Sequence, residues 1–525
     1  MRRTANVLLL ILLAATIAAC SSVRRDFVKE HVEALPPAND TPSTKYINAE
    51  LRNHDKQSGF RLLTKSNDAL MSRIALVDHA QHSIDLQYYI FKNDETGRLL
   101  AQHLLAAADR GVRVRILLDD INLSHQDRML DALDVHEKIE VRLFNPYRTR
   151  SPSMASKIGQ FLIEGPRLNR RMHNKSFIAD NTAAVIGGRN IGNDYFDAGR
   201  DTNFRDLDLI AIGPVVQQAS AIFDEYWNCD AAFPVKALSN PKDPKGDLER
   251  LRSSLARDAR KFEQSDYAMN VLEELPEGAT GDRWGSWFWG NAETVADKPE
   301  KIEVRRDAPE LRIGPRLKAM IDGAQSEVDI TSPYFVPGAE GTSFLTGLSR
   351  RGVSTKILTN SLASTDEPAA HAGYAHYRRP LLEGGVELYE LRPTVGAAQP
   401  ATAQGTSSGV SLHAKSVVVD RKYVFIGSLN MDQRSKLLNT EMGVLIDCPA
   451  LAGAVTEFFD AAILPGSAFH VVLEPSPIGK PDSATVSWRW QDDGKPQTDQ
   501  SDPAASKKRK LEVLTLRMLP LESLL

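Results

Sequence analysis

His173 and His413 each stand two residues before a lysine and seven before an aspartate, giving His173, Lys175, Asp180 and His413, Lys415, Asp420. Both motifs continue alike, with glycine at fourteen, a small residue at fifteen and asparagine at seventeen: Gly187, Gly188, Asn190 and Gly427, Ser428, Asn430. The chain has 12 His, 64 Lys plus Arg and 68 Asp plus Glu in 525 residues. At those frequencies a lax His-x-basic-x4-acid pattern is expected by chance only about 0.2 times per chain. Two full copies with the same continuation are therefore a duplication.

Residues two apart on a strand share a face, so each histidine projects together with its lysine. A neutral imidazole can attack phosphorus, and an adjacent ammonium holds phosphate oxygens as a point charge. The turn after each apolar run adds side-chain amides and close backbone donors to the same oxygens, from Asn190, Ser428 and Asn430. One copy is half a site. Two copies supply one imidazole to attack and one to protonate the leaving oxygen, the minimum for double displacement at a phosphodiester. Lysines and amides carry the charge, and no Cys, His or carboxylate cluster has metal-ligand spacing, so neither metal nor other cofactor is expected.

The paired motifs resemble the H-x-K-x4-D signature of the phospholipase D superfamily over roughly residues 60–475. The segments Arg171–Lys175, Ser332–Pro337, Asn430 through Arg434 and Ser435, and Asn439–Glu441 resemble the bacterial cardiolipin synthase branch, in particular its lipoprotein-like members. The resemblance implies an α/β fold of two pseudo-symmetric phospholipase D-like domains, each a mixed β-sheet flanked by helices, with one active site at their interface. It implies His173 as nucleophile, forming a phosphatidyl-histidine, and His413 as acid and then base; the mirrored assignment stays open because the halves are alike. One imidazole is then neutral and the other protonated in the resting site. A buried acid downstream of each motif is implied to accept a bond from an imidazole Nδ1, fixing its tautomer and stabilising the cation. Aligning Phe204–Leu209 with Leu438–Met442 puts Asp208 opposite Glu441, with Asp206 the rival to Asp208. Asp180 and Asp420 belong to the signature, and bracing the strand turn suits them better than touching substrate.

The implied reaction is phosphatidyl transfer to phosphatidylglycerol, giving cardiolipin, from a second phosphatidylglycerol or from phosphatidylethanolamine. Three alternatives remain at this stage: phospholipase D hydrolysis to phosphatidic acid, a metal-independent phosphodiesterase acting on nucleic acid, and a catalytically silent lipoprotein scaffold.

A duplicated chain of this length divides into segments. Residues 1–19 read as a signal peptide, 20–58 as a tether turning helical near Thr44–Arg52, and 59–240 as the first domain. Residues 241–310 read as a connection, 311–475 as the second domain, and 476–525 as a tail with a terminal helix. Helix and strand patterns alternate in both halves: Ala69–Ala80, Ser83–Phe91, Gly97–Asp109 and Val112–Leu118 are answered by Leu317–Ala324, Val328–Phe335, Thr342–Arg351 and Val353–Leu358.

A net charge of −4 argues against affinity gained by neutralising a nucleic-acid backbone. Arg2 and Arg3, the apolar run Val7–Ile17 and then Ala18-Ala19-Cys20 resemble a bacterial lipobox, with Cys20 lipidated after cleavage. Ser21 resembles outer-membrane sorting, so the expected address is the bacterial envelope, facing the periplasm. Cys229 and Cys448 read as buried free thiols rather than a pair. The basic residues Arg148, Arg150, Lys157, Arg167, Arg170 and Arg171 suit anionic headgroups or an ordinary solvated loop. Trp284, Trp287 and Trp289 suit interdomain packing or a lipid-facing surface. His371 reads as a satisfied surface histidine. Leu511, Leu514 and Met518 share one helical face, either interfacial or docked on the protein. The oligomeric state is left open.

Overall fold

The computed structural model describes residues 29–518 apart from 124–126, 148–158, 160–163, 200–201, 240, 274–285, 305–307, 394–408 and 475–483. Cys20 and the leader, Arg148, Arg150, Lys157 and Trp284 lie outside the described residues.

The first half lays down β1 (Ser58–Leu63), β2 (Ser83–Tyr88), β3 (Arg113–Asp119), β4 (Ile139–Phe144), β5 (Ser176–Ala179), β6 (Ala183–Gly187), β7 (Asn203–Arg205), β8 (Asp208–Ile212) and β9 (Ala232–Pro234). The second half supplies β10 (Phe288–Ala296), β11 (Glu327–Thr331), β12 (Ser354–Asn360), β13 (Glu387–Leu391), β14 (Val410–Leu412), β15 (Ser416–Val419), β16 (Tyr423–Gly427), β17 (Met442–Asp447) and β18 (Ala468–Glu474). A hairpin of β19 (Thr485–Asp492) and β20 (Lys495–Asp499) extends from β18.

The order β1-β8-β6-β5-β2-β3-β4-β9 is matched strand for strand by β10-β17-β16-β15-β11-β12-β13-β18. Within these two orders, β2-β3-β4 and β11-β12-β13 run parallel and the other described neighbours antiparallel. Parallel neighbours need crossovers, and helices such as Glu95–Asp109 and Gly338–Arg350 make them. The two sheets meet where β1 pairs antiparallel with β10, Gly59 opposite Trp289 and Phe60 opposite Phe288. Equivalent strands pairing with each other put the pseudo-twofold at that seam. Phe288–Ala296 is thus the opening strand of the second sheet, although the sequence reading places it in the connection. Its aromatic cluster obscures the strand: Trp289 stacks on His54 with centroids 3.8 Å apart, and Trp287 lies under the Arg61 guanidinium at 4.1 Å. Both tryptophans pack against the first half.

Each half has a core between sheet and helices, and a third cluster runs through the interface, from Phe60, Met172, Ile186 and Leu209 to Leu412, Ile426, Met442 and Val444. Burial of that apolar surface, worth roughly 25 cal/mol per Å², fixes the halves against one another.

Two expectations change and a third holds. Residues 29–41 are held against the first half instead of hanging free: Arg142 donates to Glu30 O, Arg115 to Val32 O, Ala34 N–H to Asp224 and Ala38 N–H to Asp180 O. Guanidiniums of β3 and β4, a carboxylate of helix Pro214–Asn228 and the carbonyl of the Asp180 turn hold them, and only then does helix Pro42–Leu51 begin. His371 is buried, between Arg378 and Asp502 of the tail, because helix Lys507–Leu516 covers it from outside. Cys229 and Cys448 are both free, as the sequence suggests, with Cys448 buried and Cys229 half-buried. Among the described residues no helix is long and apolar enough to cross a membrane.

Candidate active site

Each motif is a hairpin, β5–β6 or β15–β16, with its histidine just ahead of the first strand. Its aspartate opens the tight turn: Asp180 and Asn181 at φ 50° and 51°, Asp420 and Arg421 at 52° and 48°. Asp180 accepts hydrogen bonds from the N–H groups of Gln81, His82 and Ser83, and Asp420 from Gln325, Ser326 and Glu327. Both carboxylates pin their turn to the start of a central strand. They are braces, and their place in the site's chemistry is indirect.

The histidines reach their acids by crossing the interface. β14, which leads into His413, pairs in parallel with β7, which leads into Asp206. The N–H groups of His413 and Ala414 both donate to Arg205 O, at 2.8 and 3.1 Å. On the other side Met172 bridges Thr440, His173 N–H donates to Thr440 O at 2.8 Å, and Thr440 N–H donates to Arg171 O at 2.8 Å. Consequently His173 Nδ1 lies 2.8 Å from Glu441 Oε2, and His413 Nδ1 lies 2.5 Å from Asp206 Oδ2. Both carboxylates are fully buried. A carboxylate on Nδ1 fixes the proton there and leaves Nε2 for phosphorus. Tyr89 sits edge-on to the His173 ring at 4.9 Å, and Tyr195 edge-on to His413 at 5.1 Å, which holds the rings in plane.

Lys175 Nζ donates to His173 O at 2.6 Å, and Lys415 Nζ donates to His413 O. Burial lowers the Lys415 ammonium to about 8 and depresses Lys175 strongly. Burial, reinforced by Lys175 and Lys415, drops His173 well below its ordinary value. Burial and Lys415 outweigh Asp206 and bring His413 to about 4. Both shifts favour the neutral imidazole: burial is the main cause, the two lysines add to it, and an arriving phosphodiester anion opposes the lysines so that one ring can carry the proton the reaction needs. The acids differ. Burial pushes Glu441 up to about 7, whereas at Asp206 the effect of burial is outweighed by His413, Lys415 and Arg189, which hold it below the usual carboxylate range.

A family model described as "Cardiolipin synthase, PLD-like domain" matches residues 74–227 and 317–463, one motif in each span. Cardiolipin synthase C of Escherichia coli (strain K12) is 43% identical over 416 residues, 77% of this chain and 85% of that protein. The chain belongs to the cardiolipin synthase family. An uncharacterized protein of Helicobacter pylori (strain J99) is 36% identical over 430 residues, covering 80% of this chain and 83% of its own. Among solved structures the phosphatidylserine synthase of Haemophilus influenzae Rd KW20 shares the fold, with a TM-score of 0.54 at 14% identity over 82% of this chain and 92% of that one.

This synthase-family site brings together His173, Lys175, His413, Lys415 and Glu441, but not Asp208. Asp208 accepts from Arg73 at 2.9 Å and from Arg189 N–H at 3.1 Å, in a buried ion cluster beneath the site. Asp206 replaces it as the partner of His413. Strand register gives the reason: Gly187 pairs with Asp208 where Gly427 pairs with Gly443, so Asp206 is the counterpart of Glu441. Pro214 and Pro449, which open equivalent helices, carry the same offset and are the signal that could have found it. The small residue of the motif also acquires a purpose. A Cβ on Gly188 would stand 2.1 Å from Asp206 Oδ1, while the matching Ser428 donates its hydroxyl to Glu441 at 2.5 Å.

The expected phosphate donors are mostly engaged elsewhere. Asn190 accepts from Ile90 N–H and donates to the Tyr195 hydroxyl at 2.9 Å, so it positions the ring against His413. Ser428 serves Glu441. Asn430 is buried with an unpartnered Oδ1, an acceptor suited to a hydroxyl rather than a phosphate oxygen. Arg171 donates to Leu168 O, Asn145 O and Asp119, and Arg170 to the carbonyls of Ile302 and Val304, so both tie the loop to the scaffold. Arg167 bonds Asn145, Pro146 O and Glu164. The arginine whose charge reaches His173, after those of Lys175 and Lys415, is Arg434, held by Asn169 at 2.5 Å. Its role depends on a cross-interface contact, and that of Tyr89 on a long-range contact within the first half, neither of which local sequence encodes.

Proposed function

We infer that this protein is a phosphatidyltransferase that makes cardiolipin. The observation that carries the reading is the pair of imidazoles, each oriented by a carboxylate from the opposite half, with two buried lysines whose charges act on both rings, in a chain of the cardiolipin synthase family. Nε2 of one histidine attacks phosphorus of the donor lipid, the bond to the headgroup oxygen breaks, and the other histidine delivers a proton to that oxygen. The hydroxyl of phosphatidylglycerol then takes the vacated place and loses its proton to the second histidine. Its oxygen displaces the first histidine from phosphorus, closing the cycle. The donor is phosphatidylglycerol or phosphatidylethanolamine.

The unequal acids favour His173 as the nucleophile. Asp206 stays ionised and stabilises an imidazolium on His413, which suits the residue that shuttles the proton. Glu441, pushed up to about 7, supports a cation on His173 less well and leaves it neutral. Hydrolysis uses the same covalent step with water as acceptor. The lipid anchor at Cys20 and a periplasm-facing place at the outer membrane belong to this reading, supported by Ile17–Cys20 followed by Ser21. The test is mass spectrometry of lipids from vesicles of phosphatidylglycerol, with and without phosphatidylethanolamine, incubated with the purified protein. Cardiolipin is expected. Phosphatidic acid alone would replace transfer with hydrolysis, and metal-independent DNA degradation without lipid turnover would overturn the lipid reading.

A further inference from the structure

We propose that helix Lys507–Leu516 is a membrane-contacting element that sets the active-site rim against an anionic bilayer. One face of the helix is committed to the protein. Val513 is buried, with Leu516 beside it, against Leu362 and Ala372, and Arg509 Nη1 donates to the carbonyls of Leu362 and Ala363 at 2.9 and 3.1 Å. At 100° per residue, Leu511, Leu514 and Met518 fall on the side opposite that face. They are 65%, 51% and 77% exposed. A docked helix ordinarily keeps charge on its outer side. Here the outer side is apolar, and basic residues flank it: Lys510 and Arg517 on one edge, Lys508 on the other, Lys507 at the start.

Beyond the inward-facing Arg509, the four basic residues Lys507, Lys508, Lys510 and Arg517 against the single acid Glu512, on a chain of net −4, select a negatively charged partner. An apolar stripe flanked by long cations fits the headgroup–acyl boundary, where the stripe is buried and the lysines snorkel to phosphates. The underlying loop ties this surface to the chemistry. Asn360 exchanges hydrogen bonds with Leu412, the residue before His413. Asp366 accepts from the Tyr334 hydroxyl at 2.8 Å, and its charge acts on Lys415 and Tyr195. A bilayer under the helix therefore lies beside the rim through which a lipid phosphate reaches the second motif. The purpose of the contact rests on the proposed lipid substrate; the contact itself does not.

The experiment places a nitroxide amino acid at Leu514 in the full chain and reads oxygen against aqueous-reagent accessibility by electron paramagnetic resonance, with a control probe at exposed Gln497. With phosphatidylglycerol-rich vesicles the Leu514 probe gains oxygen and loses aqueous accessibility, while Gln497 does not change. Pure phosphatidylcholine vesicles produce a smaller shift. A Leu514 probe that stays aqueous on anionic vesicles overturns the proposal. So does one shielded without vesicles in a concentration-dependent way, which would assign the stripe to a second copy. In a second arm the Leu511→Ser, Leu514→Ser, Met518→Ser variant is assayed on vesicles and on a short-chain soluble phospholipid. Vesicle turnover falls on the order of tenfold while soluble turnover is kept. Equal loss on both substrates counts against the proposal, and wild-type protein inactive on both would sink the lipid reading while leaving the depth measurement standing.

Discussion

His173 Nδ1 and Glu441 Oε2 lie 2.8 Å apart although 268 positions separate them in sequence, and His413 and Asp206, 207 positions apart, mirror the contact at 2.5 Å. Neither half contains a complete dyad, so the duplication is obligatory for chemistry. Asp206→Asn and Glu441→Gln keep the shape of each contact and remove its charge. Each lowers kcat by about 10²–10⁴, with circular dichroism unchanged. A variant with both changes loses less than the product of the two, because the dyads act as one unit.

Asp208 answers differently. Its carboxylate balances Arg73 and Arg189, all three fully buried. Asp208→Asn leaves two buried guanidinium groups short of a counter-charge and destabilises the fold by about 3–5 kcal/mol. Chemical denaturation reads that loss. The kcat of the folded fraction stays far closer to wild type than that of Asp206→Asn.

Much of this architecture is legible in the chain. The motif spacing locates both hairpins, and the alternation of patterns finds β2, β3, β11 and β12 within a few residues. What escapes is whatever depends on register or on the other half. Asp206 and Asp208 differ by two residues, the period of a strand, so both point to one face and only the pairing of Gly187 with Asp208 separates them. Tyr89 and Arg434 carry no local mark of their contacts with His173. Residues 29–41 look like a linker in composition, because most of their bonds to Arg115, Arg142 and Asp180 use backbone groups that sequence does not display.

That N-terminal segment makes a prediction about stability. One truncation starts the chain at residue 29 and serves as the reference. Starting it at residue 42 instead takes partners from Arg115, Arg142 and Asp224 and costs about 3 kcal/mol more, at roughly 1 kcal/mol per hydrogen bond. Differential scanning calorimetry of the two truncations distinguishes a strap from a tether.

The pH profile follows from two buried groups. Protonated Glu441 donates to His173 Nδ1, which moves the ring proton to Nε2 and removes the attacking lone pair. As burial holds Glu441 at about 7, kcat/KM falls as pH drops below that value. Lys415, lowered to about 8, loses its charge above that pH and gives the alkaline limb. Glu441→Gln removes the acid limb, and Lys415→Arg removes the part of the alkaline limb that belongs to Lys415, leaving that of Lys175, which burial also lowers. Stability runs the opposite way. Glu441, raised in the fold, contributes stability at low pH that is lost as pH rises through about 7. Lys415, depressed in the fold, contributes stability at high pH that is lost as pH falls through about 8. These two contributions are smallest between the limbs, where activity peaks, and thermal melts across the range show it.

The order of the histidines can be trapped. If His413 protonates the leaving oxygen, His413→Ala stalls on natural lipids but not on a phosphatidyl ester of p-nitrophenol, whose leaving group needs no acid. That variant then releases nitrophenolate in a single burst and retains the phosphatidyl group, since no base remains to activate the acceptor alcohol. Mass spectrometry of the digested protein finds the adduct on the peptide containing His173. His173→Ala gives neither burst nor adduct. The mirrored result, an adduct on His413 in the His173→Ala protein, assigns the nucleophile to the second motif and makes Asp206 the partner of the attacking ring.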